Sequence, residues 1–448
     1  MKKYIFIVTF ALCSMSTNML MAQDKTPTLE ERIYALSLIW KELHYNFAFP
    51  ETFQKVNEDS LYMVYLPKIE QAKDNFEYYR VLRSFLAHFN DAHTRIFESH
   101  RPDDVPPLQT INFGEKIIVS NTAKNIADKI PVGSEIIKIN HIPVVEYIKD
   151  SVYQYISSAT PHWKFDKAAG EILYGRPQST VTITVKTPKG KENEVELIRN
   201  YYSNRAKEVM VDTSILPINI RIINGKIGYI RLTSFDKKYK DTINLVFNSH
   251  LPQLRKCKGL IIDIHGNSGG SQLSWENILY HLILKSQFQE QGKYFSKKHV
   301  PTYKMWGKFD PQFRNYYQGT AMEEIKYFPF RNKLNDSLKL HQPLIVISGE
   351  GVGSASEYFL ILMKDCGRAT VIGDPSVGNV GEPMMFTVPG NLEVMICAKK
   401  YVNQDGTQPN ETGILPDIEV KRDYNAYLKG KDNVLERAIE ELQKQIKM

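Results

Sequence analysis

The sequence predicts a multidomain protein: a helical N-terminal region, a small β-rich domain and a larger α/β domain. Three observations carry this. The chain of 448 residues is longer than one ordinary core accommodates. Apolar residues recur at helical spacing up to about residue 100, then fall into short runs bounded by turn residues up to about residue 200. Beyond about residue 214, apolar strand-length runs alternate with helical ones, the pattern of a parallel sheet with helices layered on it.

Residues 24–105 make up the helical domain, with Leu36, Trp40, Leu43 and Phe47 on one core face and Tyr78, Leu82, Phe85, Leu86 and Phe89 on another. It ends in the polar loop Asn90-Asp91-Ala92-His93-Thr94-Arg95, where His93 stands between a helix and a strand-like segment. Most loop histidines are simply solvated, although loops held by rigid elements often carry function. Ahead of this domain, Lys2-Lys3, the apolar run Tyr4–Leu12 and Met21-Ala22-Gln23 predict a secretory signal peptide over 1–23. The mature protein is therefore expected to be exported, periplasmic or extracellular, with no transmembrane span. Leu12 fits poorly before a lipid-carrying Cys13.

Composition narrows the function. A content of 42% hydrophobic and 24% charged residues is that of a globular protein, and a net charge of +7 without any basic block does not imply nucleic acid. Cys257, Cys366 and Cys397 remain after the signal, with no C-x-x-C, so they offer no zinc site and at most one disulfide. No metal or cofactor is expected.

Residues 108–200 contain strands at Lys116–Val119, Glu135–Asn140, Val181–Val185 and Glu194–Ile198, with a helix around Val145–Tyr155. The run Val132-Gly133-Ser134-Glu135-Ile136-Ile137-Lys138-Ile139-Asn140-His141-Ile142-Pro143-Val144 resembles the G-[D/S]-x-I-x-x-[I/V]-N-G-x-x-V core of PDZ domains. His141 replaces the usual glycine. The resemblance implies a domain that binds an extended peptide by strand addition and often holds a terminal carboxylate. A small β-rich insert without a ligand is the plainer reading.

In residues 206–448, strands are expected at Lys226–Leu232, Gly259–Asp263, Pro343–Ile347, Ala369–Ile372, Met384–Val388 and Val394–Ala398. Helices are expected at Asp241–Leu254, Ser274–Lys285, Tyr358–Lys364 and Val434–Gln445. Ser354 sits where the glycine-rich turn after one strand becomes a helix. There a hydroxyl lies beside free backbone N–H groups and the positive end of the helix dipole, suited to attack on a carbonyl. Ser354-Ala355-Ser356-Glu357 is equally a capping box, S-x-x-E. A second glycine turn, Gly266-Asn267-Ser268-Gly269-Gly270, matches G-x-S-x-G and offers Ser268 as a rival nucleophile for an esterase, with His341 as its base.

Taken together, the two turns resemble the C-terminal-processing and tricorn-like serine peptidases. Asp263-Ile264-His265-Gly266-Asn267-Ser268-Gly269-Gly270 resembles their D-x-R-x-N-x-G-G. Ser354-Ala355-Ser356-Glu357, followed by Asp365-Cys366-Gly367-Arg368-Ala369-Thr370-Val371-Ile372-Gly373, resembles S-A-S-E…D-x-G-R-A-x-x-x-G, and Gly413–Val420 resembles G-I-x-P-D-x-x-V. The resemblance implies a ClpP/crotonase-like α/β catalytic domain behind a PDZ-like one. It makes Ser354 the nucleophile and gives the oxyanion to the N–H groups of Gly269 and Ala355.

The base separates two branches of that family. The lysine of the processing peptidases falls at Asn379, an amide that takes no proton at neutral pH. Lys399 or Lys400 would have to substitute. The tricorn-like branch uses a histidine ahead of the PDZ domain, and Asp91-Ala92-His93-Thr94 resembles its D-G-H-T segment. Ala92 stands where tricorn-like enzymes carry a second serine. A histidine is suited to take the serine proton and pass it to the leaving amine. Glu411 would complete the relay, although Asn410 occupies the family's own position. His265 replaces the family's arginine and reads as structural. The sequence thus predicts an exported serine endopeptidase acting on protein or peptide substrates, unfolded or C-terminal segments held by the PDZ-like domain among them. A catalytically inactive peptide-binding protein of the same fold is the alternative.

Overall fold

Gly259–Asp263 and Leu344–Ser348 are five-residue strands in which every residue is buried, as their unbroken apolar sequences require. The computed structural model that shows this describes residues 26–97, 101–202 and 216–447. The predicted signal peptide lies outside the described residues. The two strands pair in parallel, from Leu260 opposite Leu344 to Asp263 opposite Ile347, at the centre of a six-stranded sheet. Its order is Ile418–Glu419, Thr370–Gly373, Leu344–Ser348, Gly259–Asp263, Ile227–Leu232 and Ile218–Ile223. Only the last pair is antiparallel.

Alternation along the strands sends side chains to two separate cores. Leu260, Ile262 and Val346 meet Phe247 and Leu251 of helix Lys240–Leu254 and Phe359 and Met363 of helix Ala355–Asp365. Ile261 and Ile345 meet Val434, Ala438 and Leu442 of helix Asn433–Lys447. Both glycine turns leave the sheet at the same edge, the carboxyl ends of the two central strands, where open α/β sheets place their sites.

Residues 108–198 form an antiparallel five-stranded sheet in the order Leu108–Phe113, Lys116–Thr122, Glu135–Ile139, Thr180–Lys186, Glu192–Ile198. The helix expected near Val145–Tyr155 is present with changing pitch: α over Val144–Tyr147, π over Ile148–Val152, 3-10 over Tyr153–Tyr155. A second helix, Pro161–Glu171, was not legible, because it buries only Ala168, Ala169 and Glu171 and so carries no apolar stripe. Buried Glu171 instead meets Arg83 at 2.6 Å, tying this sheet to the helical region.

Helices Leu29–Asn46, Glu58–Gln71 and Asn75–Ala87 start at the side-chain caps Thr28, Asn57 and Asp74. Leu36, Leu43 and Phe47 point inward as expected, whereas Trp40 is half-buried, its Nε1 donating to Asp59 Oδ1 at 3.0 Å. The core of these helices is shared. Val388, Leu392, Val394 and Ile396, from the hairpin Pro383–Val388 and Leu392–Cys397, pack among Leu36, Leu43 and Phe85. Arg95–Ile96 adds a third strand to that hairpin, Arg95 opposite Met395. Residues on either side of the β-rich domain therefore close one core, which seats the His93 loop against the C-terminal half of the chain.

Candidate active site

Ser354 has φ 53° and ψ −121°, a backbone conformation that L-residues adopt only when their surroundings impose it. Two acceptors hold it: its N–H is shared between Asn379 Oδ1 at 2.7 Å and Glu357 Oε2 at 3.0 Å. The Glu357 contact is the reach-back half of the expected capping box. Glu357 does more than cap. Buried completely, it accepts from Ser376 Oγ and the Gly378 N–H, each at 2.6 Å, and from the Asn379 N–H at 2.9 Å. Burial pushes its carboxyl up to about 7, while all four neighbours are donors that complement the ionised form. One carboxylate thus ties the serine turn to loop 376–379.

Gly269 lies against that turn. A Cβ there would stand 2.6 Å from Gly353 O, 2.8 Å from Ser354 Cβ and 2.9 Å from Ala355 N, and its φ is +98°. Only glycine fits. The Ala355 N–H, first of its helix, has no acceptor among the described residues. The Gly269 N–H donates to Asn267 Oδ1 at 3.0 Å, whereas the next amide, Gly270, has no acceptor among the described residues. Of the two predicted oxyanion donors, the structure leaves Ala355 free and engages Gly269.

His93 is buried, in a loop clipped at both ends. Thr94 Oγ1 donates to Asp91 Oδ2 at 2.7 Å and accepts from the Cys397 N–H at 3.2 Å. Burial and the nearby Arg95 charge push His93 down to about 3, so its imidazole is neutral, and its Nδ1 has no partner. No hydrogen bond joins it to Ser354 among the described residues. Glu411 is exposed on the short helix Pro409–Thr412, with no partner for its carboxylate among the described residues, and the structure does not bring it to His93. Asn410 is the deeper of the two, its Oδ1 buried and unpartnered.

The nucleophile candidate thus sits on a strained turn braced by a fully buried glutamate, with a free amide beside it. Residues 226–420 match the model of Peptidase family S41. The chain resembles this family over that stretch. Among its relatives are the carboxy-terminal processing protease CtpB of Bacillus subtilis, 23% identical over 334 residues (71% of this chain, 62% of that protein), and the carboxyl-terminal-processing protease of Picosynechococcus, 24% identical over 388 residues (84% and 80%). The match thus spans less than two thirds of the Bacillus protein. The solved structure of mature CPAF complexed with lactacystin superposes with a TM-score of 0.69 at 13% identity, covering 94% of this chain and 99% of that one, a likeness of fold. The mixed α/β multidomain fold resembles that solved structure over nearly its whole length.

Asn379 stands at the position where the processing peptidases carry a lysine, and its side chain is spent on the Ser354 backbone. Lys400 is paired with Glu51 at 3.2 Å. Lys399 lines a cavity of about 410 Å³ together with Ser354, Ala355, Gly270, Tyr294, Tyr327 and Tyr358. Sequence reasoning missed these tyrosines as a group, because they come from three separate elements with no common spacing.

The esterase reading fails on topology. Ser268 follows the carboxyl end of strand Gly259–Asp263, whereas His341 precedes the amino end of its parallel neighbour Leu344–Ser348. They lie at opposite edges of the sheet, about 17 Å apart at ~3.3 Å per residue. His341 is exposed and pairs with Asp336 at 3.3 Å. His265, read from the sequence as structural, is held by its neighbours. Its Nδ1 lies 3.3 Å from Arg231 Nη1 and its N–H donates to Asp263 Oδ1 at 3.0 Å.

Proposed function

We propose that this chain is an exported serine endopeptidase, cleaving peptide bonds of protein or peptide substrates through an acyl-enzyme on Ser354. The observation that carries the reading is the Ser354 turn: a strained residue at the carboxyl end of a central strand, with the free Ala355 N–H beside it. Ser354 Oγ attacks the carbonyl carbon and forms the tetrahedral oxyanion. Ala355 N–H stabilises it, joined by an amide of the Gly269-Gly270 turn; Gly269 would leave Asn267 Oδ1 to take part. His93, neutral, takes the serine proton on Nε2 and returns it to the leaving amine, after which water releases the acyl group. Glu411, or Asn410 beside it, orients His93. The antiparallel domain at 108–200 acts as a PDZ-like holder of extended segments. Export rests on the predicted signal peptide; among the described residues no helix is long and apolar enough to cross a membrane.

The test is labelling by a serine-reactive aryl phosphonate. The label is expected to be lost in Ser354→Ala and kept in Ser268→Ala, and the reverse pattern sinks the proposal. A catalytically silent peptide-binding protein of the same fold is favoured by one observation, the absence of a His93–Ser354 hydrogen bond among the described residues. An intact fold with no turnover of any unfolded protein would support it.

A further inference from the structure

The cavity beside Ser354 is walled by aromatic rings and holds one cation among the described residues. The Lys399 side chain is only 10% exposed. Its ammonium lies 4.5 Å from the Tyr294 ring centroid and 5.0 Å from that of Tyr327, and donates to Tyr327 Oη at 2.9 Å. Tyr294 and Tyr358 turn their own hydroxyls away, both donating to Glu290 behind the wall. Lys399 is paired with Glu382 Oε1 at 2.7 Å, and the two partners are unequally placed, because the Glu382 side chain is 65% exposed. A buried ammonium without an anion is costly. An exposed carboxylate regains its hydration on leaving, so it is held weakly. Glu290 also faces this charge but is held by the two tyrosine hydroxyls, so Glu382 is the exchangeable partner of the lysine.

We propose that this cavity is a substrate subsite that takes a carboxylate onto Lys399 in exchange for Glu382. The carboxylate comes from an acidic side chain near the scissile bond or from the terminal α-carboxylate of the bound chain. That the occupant is a substrate segment rests on the reading of Ser354 as nucleophile; that the cavity takes a carboxylate rests on Lys399 and Glu382. Glu382 acts as a placeholder that keeps the lysine charged and ordered while the site is empty. The aromatic walls favour a carboxylate carried on an apolar stem.

Binding tests this without relying on turnover. Full-length Ser354→Ala protein is titrated, by fluorescence anisotropy, against N-terminally labelled alanine hexapeptides in which Glu or its isostere Gln occupies each position in turn. Each peptide is made as free acid and as amide. At one position Glu is expected to bind about tenfold tighter than Gln, the scale of one charge-assisted contact. If the acid and amide forms carry the difference instead, the terminal carboxylate is the ligand. Lys399→Met should abolish the preference. Glu382→Gln should enlarge it, a gain that a damaged fold cannot produce. Equal binding of all four forms, or a preference that survives Lys399→Met, overturns the proposal. Phosphonate labelling of the unsubstituted enzyme is read separately, so a carboxylate preference without labelling would sink the nucleophile and leave the subsite standing.

Discussion

Asn379 Oδ1 accepts the Ser354 N–H at 2.7 Å, from a residue 25 positions further along the chain. The amide fixes the backbone of the serine without engaging its hydroxyl. Asn379→Ala should leave this N–H with Glu357 alone and relax the strained turn. The loss of such a contact costs about 1–3 kcal/mol, so kcat should fall roughly ten- to a hundredfold with KM little changed. Asn379→Lys should fall as far, because a lysine removes the acceptor. Recovery of activity in Asn379→Lys would show that a lysine base works in this fold.

Glu357 predicts a pH dependence. Its carboxyl is pushed up to about 7 by burial, and its four partners are all donors. On protonation it gains an O–H that only Ser376 Oγ can accept, by turning its own hydroxyl away, and it gives up at least one of those bonds. The serine turn then loosens, so kcat/KM should decline as pH falls through about 7. His93, held down to about 3, does not titrate in that range in the free enzyme. Glu357→Gln should lower activity at every pH and erase the limb near neutrality. A limb unchanged in that variant would assign it to another group.

Gly269 gives a steric prediction. A methyl at this position meets backbone atoms of Gly353 and Ala355, which cannot rotate away, and the residue has a positive φ. Gly269→Ala should cost about 1–3 kcal/mol of stability and, by displacing Ser354, lower kcat/KM more than about a hundredfold. Thermal unfolding and phosphonate labelling rates together check it: a melting temperature lowered by only several degrees with a collapsed labelling rate is the expected pair.

What the sequence disclosed and what it hid follow one physical division. The Ser354 turn was legible because strand, glycine turn and helix are contiguous, and each obeys local rules. That Asn379 is not a base was legible from its chemistry, but its grip on Ser354 was not, since only folding brings residues 354 and 379 together. Strands are expected at Met384–Val388 and Val394–Ala398 and stand at Pro383–Val388 and Leu392–Cys397. Nothing in their sequence says that their apolar side closes the core of the N-terminal helices. The same holds for Lys399, whose place beside Ser354 depends on strand Lys399–Val402 pairing with Lys293–Lys297. Helix Pro161–Glu171 was hidden for the opposite reason: its anchoring residue, Glu171, is a buried charge.

The residue that orients His93 gives the last prediction. Glu411 offers a carboxylate, yet it is exposed and without a partner among the described residues, while Asn410 Oδ1 and His93 Nδ1 are each buried and unpartnered. Buried polar atoms of native proteins find partners, and an acceptor and a nitrogen that becomes a donor on tautomerisation are complementary. If a closing movement on substrate binding joins them, Asn410→Ala should lower kcat roughly ten- to a hundredfold, the loss of one buried hydrogen bond of about 1–3 kcal/mol. Glu411→Ala should change it less than about twofold, as for exposed groups generally. Steady-state kinetics on both variants, beside His93→Ala as the inactive reference, decide between them. A large loss in Glu411→Ala with Asn410→Ala unaffected would return the relay to the carboxylate.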